Sequence, residues 1–279
     1  MELLKLKNGF RPKKGLGQHF IKNSHVVRQI IERAAFQKSD NVFEIGPGLG
    51  ALTIPLAEYV HEIRAVEKDT QLVDMLKERL ADRNIVNVTL INEDILKLDF
   101  NKEIKRVGEK IKVVGNLPYN ISSPLLDRLL QHRDIISRAV LMFQFEFARR
   151  LLAVPDCKDY GAITVLMRYN ATITPLMEVS REIFYPRPKV GSMVISIDME
   201  KPHQRRAEDE RLFRNVVKGA FAHRRKTILN SLKGSLPSYS GDEIYIALER
   251  SSIDSRRRGE TLDIDEFLCL ASELKRGTL

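Results

Sequence analysis

Asn41-Val42-Phe43-Glu44-Ile45-Gly46-Pro47-Gly48-Leu49-Gly50-Ala51 is the stretch that decides the fold. Its first five residues form a short β-rich run, its glycines close that run, and helical spacing follows from Ala51 to Tyr59. Glycines between a strand and a helix let the backbone approach a ligand, and the helix start offers it free N–H groups. Gly46-x-Gly48-x-x-Ala51 fits the dinucleotide fingerprint, and Glu67, about twenty residues on at the end of the next β-rich run, stands where a ribose diol is held. The loop alone does not separate a nicotinamide dinucleotide from S-adenosylmethionine. A purely structural glycine turn is the bland alternative, and Glu67 at a strand end argues against it.

Outward from this loop, β-rich runs alternate with helical patterns, the signature of an α/β domain with a mainly parallel sheet. Helical spacing covers Val26 to Ala35, Gln71 to Leu80 and Ser123 to Leu130, while strands are expected at Ile63 to Glu67, Val88 to Ile91, Ile111 to Gly115 and Ala139 to Phe143. Ala162 to Tyr169 is ambiguous, with its apolar spacing favouring a helix; Thr172 to Val179 and Met193 to Ile197 read as two late strands. The polar, proline-broken Glu200-Lys201-Pro202-His203-Gln204 marks a boundary, so residues 1–200 are expected as one domain and 201–279 as a second. Beyond it only helices are expected, at Glu210 to Ala220, Lys226 to Lys233, Asp242 to Glu249 and Ile264 to Lys275. Asp263 and Glu266 form a capping box at the start of the last.

Among the 279 residues, 43% are hydrophobic and 30% charged, and no apolar run approaches the ~20 residues that span a bilayer. No signal-type apolar core follows the basic N-terminus, so the expected location is the cytoplasm. Cys157 and Cys269 stand far apart with no Cys/His cluster, which supports neither a disulfide framework nor a metal site. A net charge of +9 points to a polyanion. Residues 1–23 form a basic arm with Lys5, Lys7, Arg11, Lys13, Lys14 and Lys22 against Glu2 alone, and further runs occur at Arg205-Arg206, His223-Arg224-Arg225-Lys226 and Arg256-Arg257-Arg258. Together they make nucleic acid the expected partner. No long heptad or exposed apolar stripe points to a partner chain, so a monomer is expected.

Asn116-Leu117-Pro118-Tyr119 follows the apolar run Ile111 to Val114, placing a planar amide, a rigid turn and an aromatic face at the carboxyl end of a strand. Such a turn can grip the amino group of a flat base. Asp94, just after the preceding strand, is placed to accept from an adenine amine of a cofactor. Carboxylates at consecutive strand ends followed by Asn-x-Pro-Tyr are the layout of a methyltransferase, whereas none of the six histidines sits in a proton-relay setting that hydride transfer would use. An adenine amine is a poor nucleophile because its lone pair is delocalised into the ring. The Asn116 side-chain oxygen and the Leu117 carbonyl could each accept one of its N–H groups and turn the lone pair outward.

Over nearly its whole length the chain resembles the rRNA adenine N6,N6-dimethyltransferases of the bacterial KsgA type (small-subunit rRNA dimethyladenosine transferases). The resemblance rests on Lys14-Gly15-Leu16-Gly17-Gln18-His19-Phe20, the Glu44 to Gly50 loop, Asn116 to Ser122, Gln144-x-Glu146-x-Ala148-x-Arg150-Leu151, Phe184-x-Pro186-x-Pro188-Lys189-Val190-x-Ser192, and Phe221-x-x-Arg224-Arg225-Lys226-Thr227. It implies a Rossmann-like seven-stranded methyltransferase sheet with a small C-terminal all-helical domain that binds RNA or the ribosome. S-adenosyl-L-methionine would be the cofactor, with no metal and no covalent intermediate.

Position by position, the resemblance places His19 and Ile21 against the cofactor, although many relatives carry Asn where this chain has His19. Gly46 and Gly48 would approach the methionine part, Glu67 the ribose hydroxyls, and Asp94 the adenine amine. Asn116 would face the methyl group, with Leu117, Pro118 and Tyr119 completing the catalytic turn, and Tyr119 and Phe184 would stack on the two faces of the target adenine. Lys13, Lys14, Arg224, Arg225 and Lys226 would hold RNA phosphates. The implied substrate is a pair of adjacent adenosines in the 3′-terminal hairpin loop of small-subunit rRNA on an assembling particle. Two alternatives stay open: the large-subunit rRNA adenine methyltransferase of macrolide resistance, and a non-catalytic ribosome assembly factor on the same fold.

Overall fold

Four consecutive residues of the glycine-closed run, Val42 to Ile45, are buried, as are Val113, Val114 and Gly115 of the run that leads to Asn116. Residues buried on both faces of a sheet read as continuous rather than alternating apolar runs, which is the mark of interior parallel strands. The computed structural model describes residues 11–104 and 110–277. Glu2, Lys5 and Lys7 of the basic arm lie outside the described residues, and so does the side chain of Lys14.

Among the described residues nine strands occur: β1 (Phe20–Ile21), β2 (Asn41–Ile45), β3 (Glu62–Glu67), β4 (Val88–Asn92), β5 (Ile111–Asn116), β6 (Ile136–Gln144), β7 (Thr172–Val179), β8 (Phe184–Tyr185) and β9 (Ser192–Asp198). Seven of them form one sheet in the order β4-β3-β2-β5-β6-β9-β7. β2 pairs in parallel with β3 and with β5, β3 with β4 and β5 with β6, while β9 runs antiparallel to β6. The seven-stranded Rossmann-like sheet expected from the sequence is therefore present. β1 and β8 form a separate antiparallel pair, Phe20 opposite Tyr185 and Ile21 opposite Phe184.

The first helices are α1 (Ser24–Ala34), α2 (Thr53–Leu56), α3 (Thr70–Ala81), α4 (Phe100–Ile104), α5 (Ser122–Gln131) and α6 (Phe145–Leu152). In α1 the Asn23 side chain accepts from the His25 and Val26 N–H groups, and Val27, Ile30, Ile31 and Ala34 form the buried stripe. Asp69 caps α3, which buries Leu72, Leu76 and Leu80, each worth roughly 1.5–3 kcal/mol. The helix expected over Ala51 to Tyr59 is only four residues long. Pro55 has no N–H to donate to Ala51, so the i to i−4 ladder is interrupted there.

The chain divides into two compact units, one comprising residues up to Ala148 with Ile173–Glu200, the other Arg149–Thr172 with Lys201–Leu279. A break at residue 200 is present, but the expected single boundary is corrected: residues 149–172 belong with the helical unit. There α7 (Ala162–Asn170), α8 (Glu210–Ala222), α9 (Ile228–Lys233), α10 (Gly241–Arg250) and α11 (Ile264–Arg276) share a core of Val165, Tyr169, Phe213, Val217, Leu248 and Phe267 among others. Tyr169 is the reason for the assignment. Its ring lies 4.4 Å from that of Phe213, its hydroxyl donates to Glu210 at 2.8 Å and accepts from the Ala207 N–H at 2.9 Å, and the Arg206 guanidinium sits 3.9 Å over its face. At the start of α11 the Asp263–Glu266 capping box forms reciprocally, at 2.8 and 2.9 Å. Among the described residues, no helix is long and apolar enough to cross a membrane.

Tyr169→Phe keeps the packed ring and strands the half-buried Ala207 N–H. It is expected to lower stability by about 1–3 kcal/mol in urea unfolding followed by circular dichroism, and an unchanged midpoint would show that the hydroxyl contributes nothing.

Candidate active site

From β2 the chain moves to β3 on one side, and from β5 to β6 on the other, so the order of the sheet reverses between β2 and β5. Ligands of open α/β sheets bind in the crevice that such a reversal opens at the carboxyl ends of the strands. A cavity lies there, walled by the glycine loop after β2, Glu67 at the end of β3, Asp94 after β4, Asn116 at the end of β5, and Gly15 to Ile21 of the N-terminal arm. His19, Ile21, Gly46, Gly48, Glu67, Asp94, Asn116, Leu117 and Pro118 all line it; Tyr119 and Phe184 do not.

Gly48 shows why the loop is built from glycine. Its φ is +56°, and a Cβ would come within 3.1 Å of the Phe20 ring that the arm lays across the loop. The Glu67 carboxylate accepts from the N–H groups of Gly48 at 3.2 Å and Asp69 at 2.9 Å, which fixes its aim. Burial raises its pKa, and those two N–H groups oppose the rise. Asp94 accepts from the Leu96 N–H at 3.0 Å and pairs with Lys68 at 2.9 Å, and the Lys68 bond holds its carboxyl below the usual range.

Glu44 was legible as the residue that opens the glycine loop but had no role in the sequence reading. It is 1% exposed, lines the same cavity, and its Oε2 has no hydrogen-bond partner among the described residues. Burial pushes its pKa up to about 7; Thr53 pulls it back in part, and the nearby Glu67 charge adds to the rise. Among the described residues, Glu44, Glu67, Glu93 and Asp94 line the cavity with Lys68 as the one lysine or arginine, an electrostatic lining suited to a cationic ligand.

The arm is tied down at several points. Asp69 is 3% exposed and accepts from Lys13 Nζ at 2.7 Å and Gln18 Nε2 at 2.9 Å. Burial alone would raise its pKa, but these bonds outweigh burial and hold the carboxyl low. Lys22 N–H donates to Ile183 at 2.7 Å beside the β1–β8 pair. Asn116 Nδ2 donates to the His19 carbonyl at 2.9 Å. Because a carbonyl only accepts, the amide must turn its NH2 toward it, which leaves Asn116 Oδ1 as an acceptor with no donor among the described residues. The Pro118 carbonyl accepts from the Ile121 N–H at 3.2 Å, closing the turn, and the Tyr119 hydroxyl bonds to Ser192 at 2.9 Å.

Two groups of expected site residues sit differently from the sequence reading. Phe184 is 1% exposed and belongs to the core around Ile21, Val140 and Val194, so its ring offers no open face to a base. Of the basic residues, Lys13 is committed to Asp69, and Arg224 to the carbonyls of Lys158 and Tyr160 and to Glu260. Arg225 and Lys226 are exposed and without a side-chain partner among the described residues. Arg205, Arg206, Arg256 and Arg257 likewise pair with Asp265, Glu210, Asp254 and Glu266. Gln18, Asp69 and Ser192 went unassigned in the sequence reading, although Gln18 and Ser192 lie inside the motifs quoted there.

Glu44 keeps its proton to about 7 in the folded protein, against 4.5 for a free glutamate. Its contribution to stability is therefore fully present below about 4.5 and lost as pH rises through about 7, a difference of about 3 kcal/mol. Glu44→Gln cannot ionise, so its stability relative to the parent protein should rise across that window in urea unfolding at stepped pH. Parallel curves would show that Glu44 is not held neutral.

The profile of the ribosomal RNA adenine dimethylase family matches residues 9–271. The chain is 43% identical over 272 residues to the ribosomal RNA small subunit methyltransferase A of Desulforapulum autotrophicum, covering 98% of this chain and 95% of that one. It is 43% identical over 258 residues to the protein of that name from Clostridium botulinum strain Kyoto, covering 92% of each. Among solved structures, a dimethyladenosine transferase from Plasmodium falciparum superposes with a TM-score of 0.77 at 26% identity over 93% of this chain and 98% of that one. The 23S rRNA methyltransferase ErmE superposes with a TM-score of 0.69 at 25% identity over 92% and 99%. The chain belongs to the ribosomal RNA adenine dimethylase family.

Proposed function

We propose that this member of the family transfers methyl groups from S-adenosylmethionine to the N6 amines of two adjacent adenosines in the 3′-terminal hairpin loop of small-subunit rRNA, giving N6,N6-dimethyladenosine during small-subunit assembly in the cytoplasm. The observation that carries the reading is the Asn116 amide, pinned by the His19 carbonyl so that Oδ1 is left as an acceptor beside the glycine loop.

The cavity fits the cofactor on its own chemistry: an acidic lining, an unpartnered Glu44 oxygen and a glycine loop with room for close approach. Glu67 would receive the ribose hydroxyls, Gly46 and Gly48 would lie against the methionine part, Ile21 and His19 would close over it, and Asp94 would accept from the adenine amine. When bound, the cofactor supplies an electrophilic methyl on a sulfonium, a leaving group that needs no acid.

What remains for the protein is to make the target amine nucleophilic and to aim it. Asn116 Oδ1 and the Leu117 carbonyl would each accept one N–H, drawing the nitrogen toward a pyramidal shape with its lone pair turned to the methyl. Pro118 holds the turn, so the acceptors are positioned before the base arrives. Each transfer also requires the methylated nitrogen to give up one proton to solvent, so after the first one N–H remains, and one acceptor is enough to orient the second. A base inside a duplex cannot reach this turn, so the target must be unpaired or turned out, with Tyr119 as its stacking surface. Arg225 and Lys226 would hold RNA phosphates without reading sequence; Lys13 and Arg224 serve first as structural ties.

The test is transfer of labelled methyl from S-adenosylmethionine to unmethylated small ribosomal particles, with the product mapped by mass spectrometry. Dimethyladenosine in the small-subunit hairpin is expected, with kcat lowered on the order of 10²- to 10³-fold in Asn116→Ala. Product in large-subunit RNA instead would favour the macrolide-resistance reading, and tight particle binding without transfer would favour an assembly factor.

A further inference from the structure

We propose that the His19 imidazole is a placeholder: it occupies the target base's stacking place on Tyr119 in the free enzyme and must swing out for an adenine to enter. The inference rests on the reading of Asn116 and Tyr119 as the grip for that adenine.

The ring is held in place rather than loosely exposed. It stacks on Tyr119 with centroids 5.5 Å apart and planes 28° from parallel. Its Nδ1 lies 2.6 Å from the Pro186 carbonyl, and since that oxygen can only accept, Nδ1 carries the proton that makes the bond. Tyr119 is anchored from the other end through its hydroxyl to Ser192, so it is not free to turn away and expose a new face beside Asn116. The other aromatic side chain expected in the slot, Phe184, is buried and cannot take the place of either ring.

Geometry then forces an exchange. A base sandwiched between two rings needs them about 7 Å apart, twice an ordinary stacking separation, and the imidazole stands closer than that. A base that stacks on this face of Tyr119 therefore displaces the imidazole.

Backbone and side chain of His19 have separable duties here. The carbonyl holds Asn116 Nδ2, and β1 begins at the next residue, so the main chain stays fixed. Rotation of the side chain about its own bonds moves the imidazole without disturbing the catalytic amide.

Holding the slot closed lowers the apparent affinity for any base by the fraction of time the slot is open. A base that also offers two N–H groups to Asn116 and Leu117 recovers the loss, whereas one that merely stacks does not. His19 thus sets the same entry cost for every base, leaving discrimination between bases to Asn116 and Leu117.

Removing the imidazole should tighten binding of an adenine once the cofactor cavity is filled. With S-adenosylhomocysteine saturating the cavity, His19→Ala is expected to bind adenosine about 3- to 10-fold more tightly than the parent protein by calorimetry, as for a slot open about 10–30% of the time. In transfer assays at saturating S-adenosylmethionine, KM for the particle should fall by a similar factor. His19→Asn, which keeps a hydrogen-bond donor but no aromatic ring, should fall between the two, and thermal unfolding verifies that both variants are folded. Equal or weaker adenosine binding by folded His19→Ala, or none at all, overturns the proposal. Because the adenosine titration needs no methyl transfer, failure of the parent protein to methylate small particles would count against the proposed function and leave this measurement decisive on its own.

Discussion

Contact between the ends of β2 and β5 is the constraint on which the site depends. At Gly115 a Cβ would come 2.7 Å from the Ile45 carbonyl, a distance that backbone atoms cannot relieve without separating the strands. Glycine lets the two strands keep their parallel register, Ile45 beside Gly115, to their final residues. The residue after Ile45 is Gly46, which opens the glycine loop, and the residue after Gly115 is Asn116, which opens the proposed catalytic turn. Both halves of the chemistry are thereby delivered to one crevice by a single backbone contact. The rest of the sheet reinforces that register, because buried apolar strands that slip by one residue would turn their side chains to the wrong face.

The N-terminal arm completes what the sheet begins. A crevice at a topological switch is open on its outer side, and here the arm covers it with Gly15 to Ile21. Its ties differ in kind: Lys13 and Gln18 converge on a buried carboxylate, Lys22 and β1 pair with the segment around β8, and His19 holds Asn116. Asp69 is the economical centre of this arrangement, since one carboxylate caps α3 and anchors the arm at once. Glu67, two residues earlier, faces the cavity and accepts the Asp69 N–H. Glycine loop, arm and the Asn116 amide therefore form one hydrogen-bonded set rather than three independent features.

What could be read from the sequence was local. Strands β2 to β7 and β9, and helices such as α1, α3 and α5, announce themselves by burial period over five to twelve residues, and the glycine loop and Asn116 turn lie at their ends. What escaped was long-range. β1 and β8 are two residues each and exist only because Phe20 and Tyr185 meet across the fold. Residues 149–172 look continuous with the sheet, but Tyr169 finds its partners at Glu210 and Phe213. Charge runs were misleading in the same way, because adjacency along the chain does not show that Arg224 faces carbonyls or Arg257 faces Glu266. Phe184 reads from the sequence as a stacking ring, and only its packing with Ile21, Val140 and Val194 places it in the core.

The two ligands of the site call for opposite electrostatics, and the structure keeps them apart. A sulfonium cofactor favours carboxylates, which Glu44, Glu67, Glu93 and Asp94 supply on the cavity side. An adenine amine must instead keep its lone pair for the methyl, so charged groups that protonate it or compete for it would be harmful; the turn offers the neutral oxygens of Asn116 and Leu117. Glu44, which lines the cavity with a pKa of about 7, can be neutral or ionised near neutral pH. A cation entering the cavity favours its ionised form, so the buried carboxyl that weakens the folded protein at high pH is the same group that a positive ligand would stabilise.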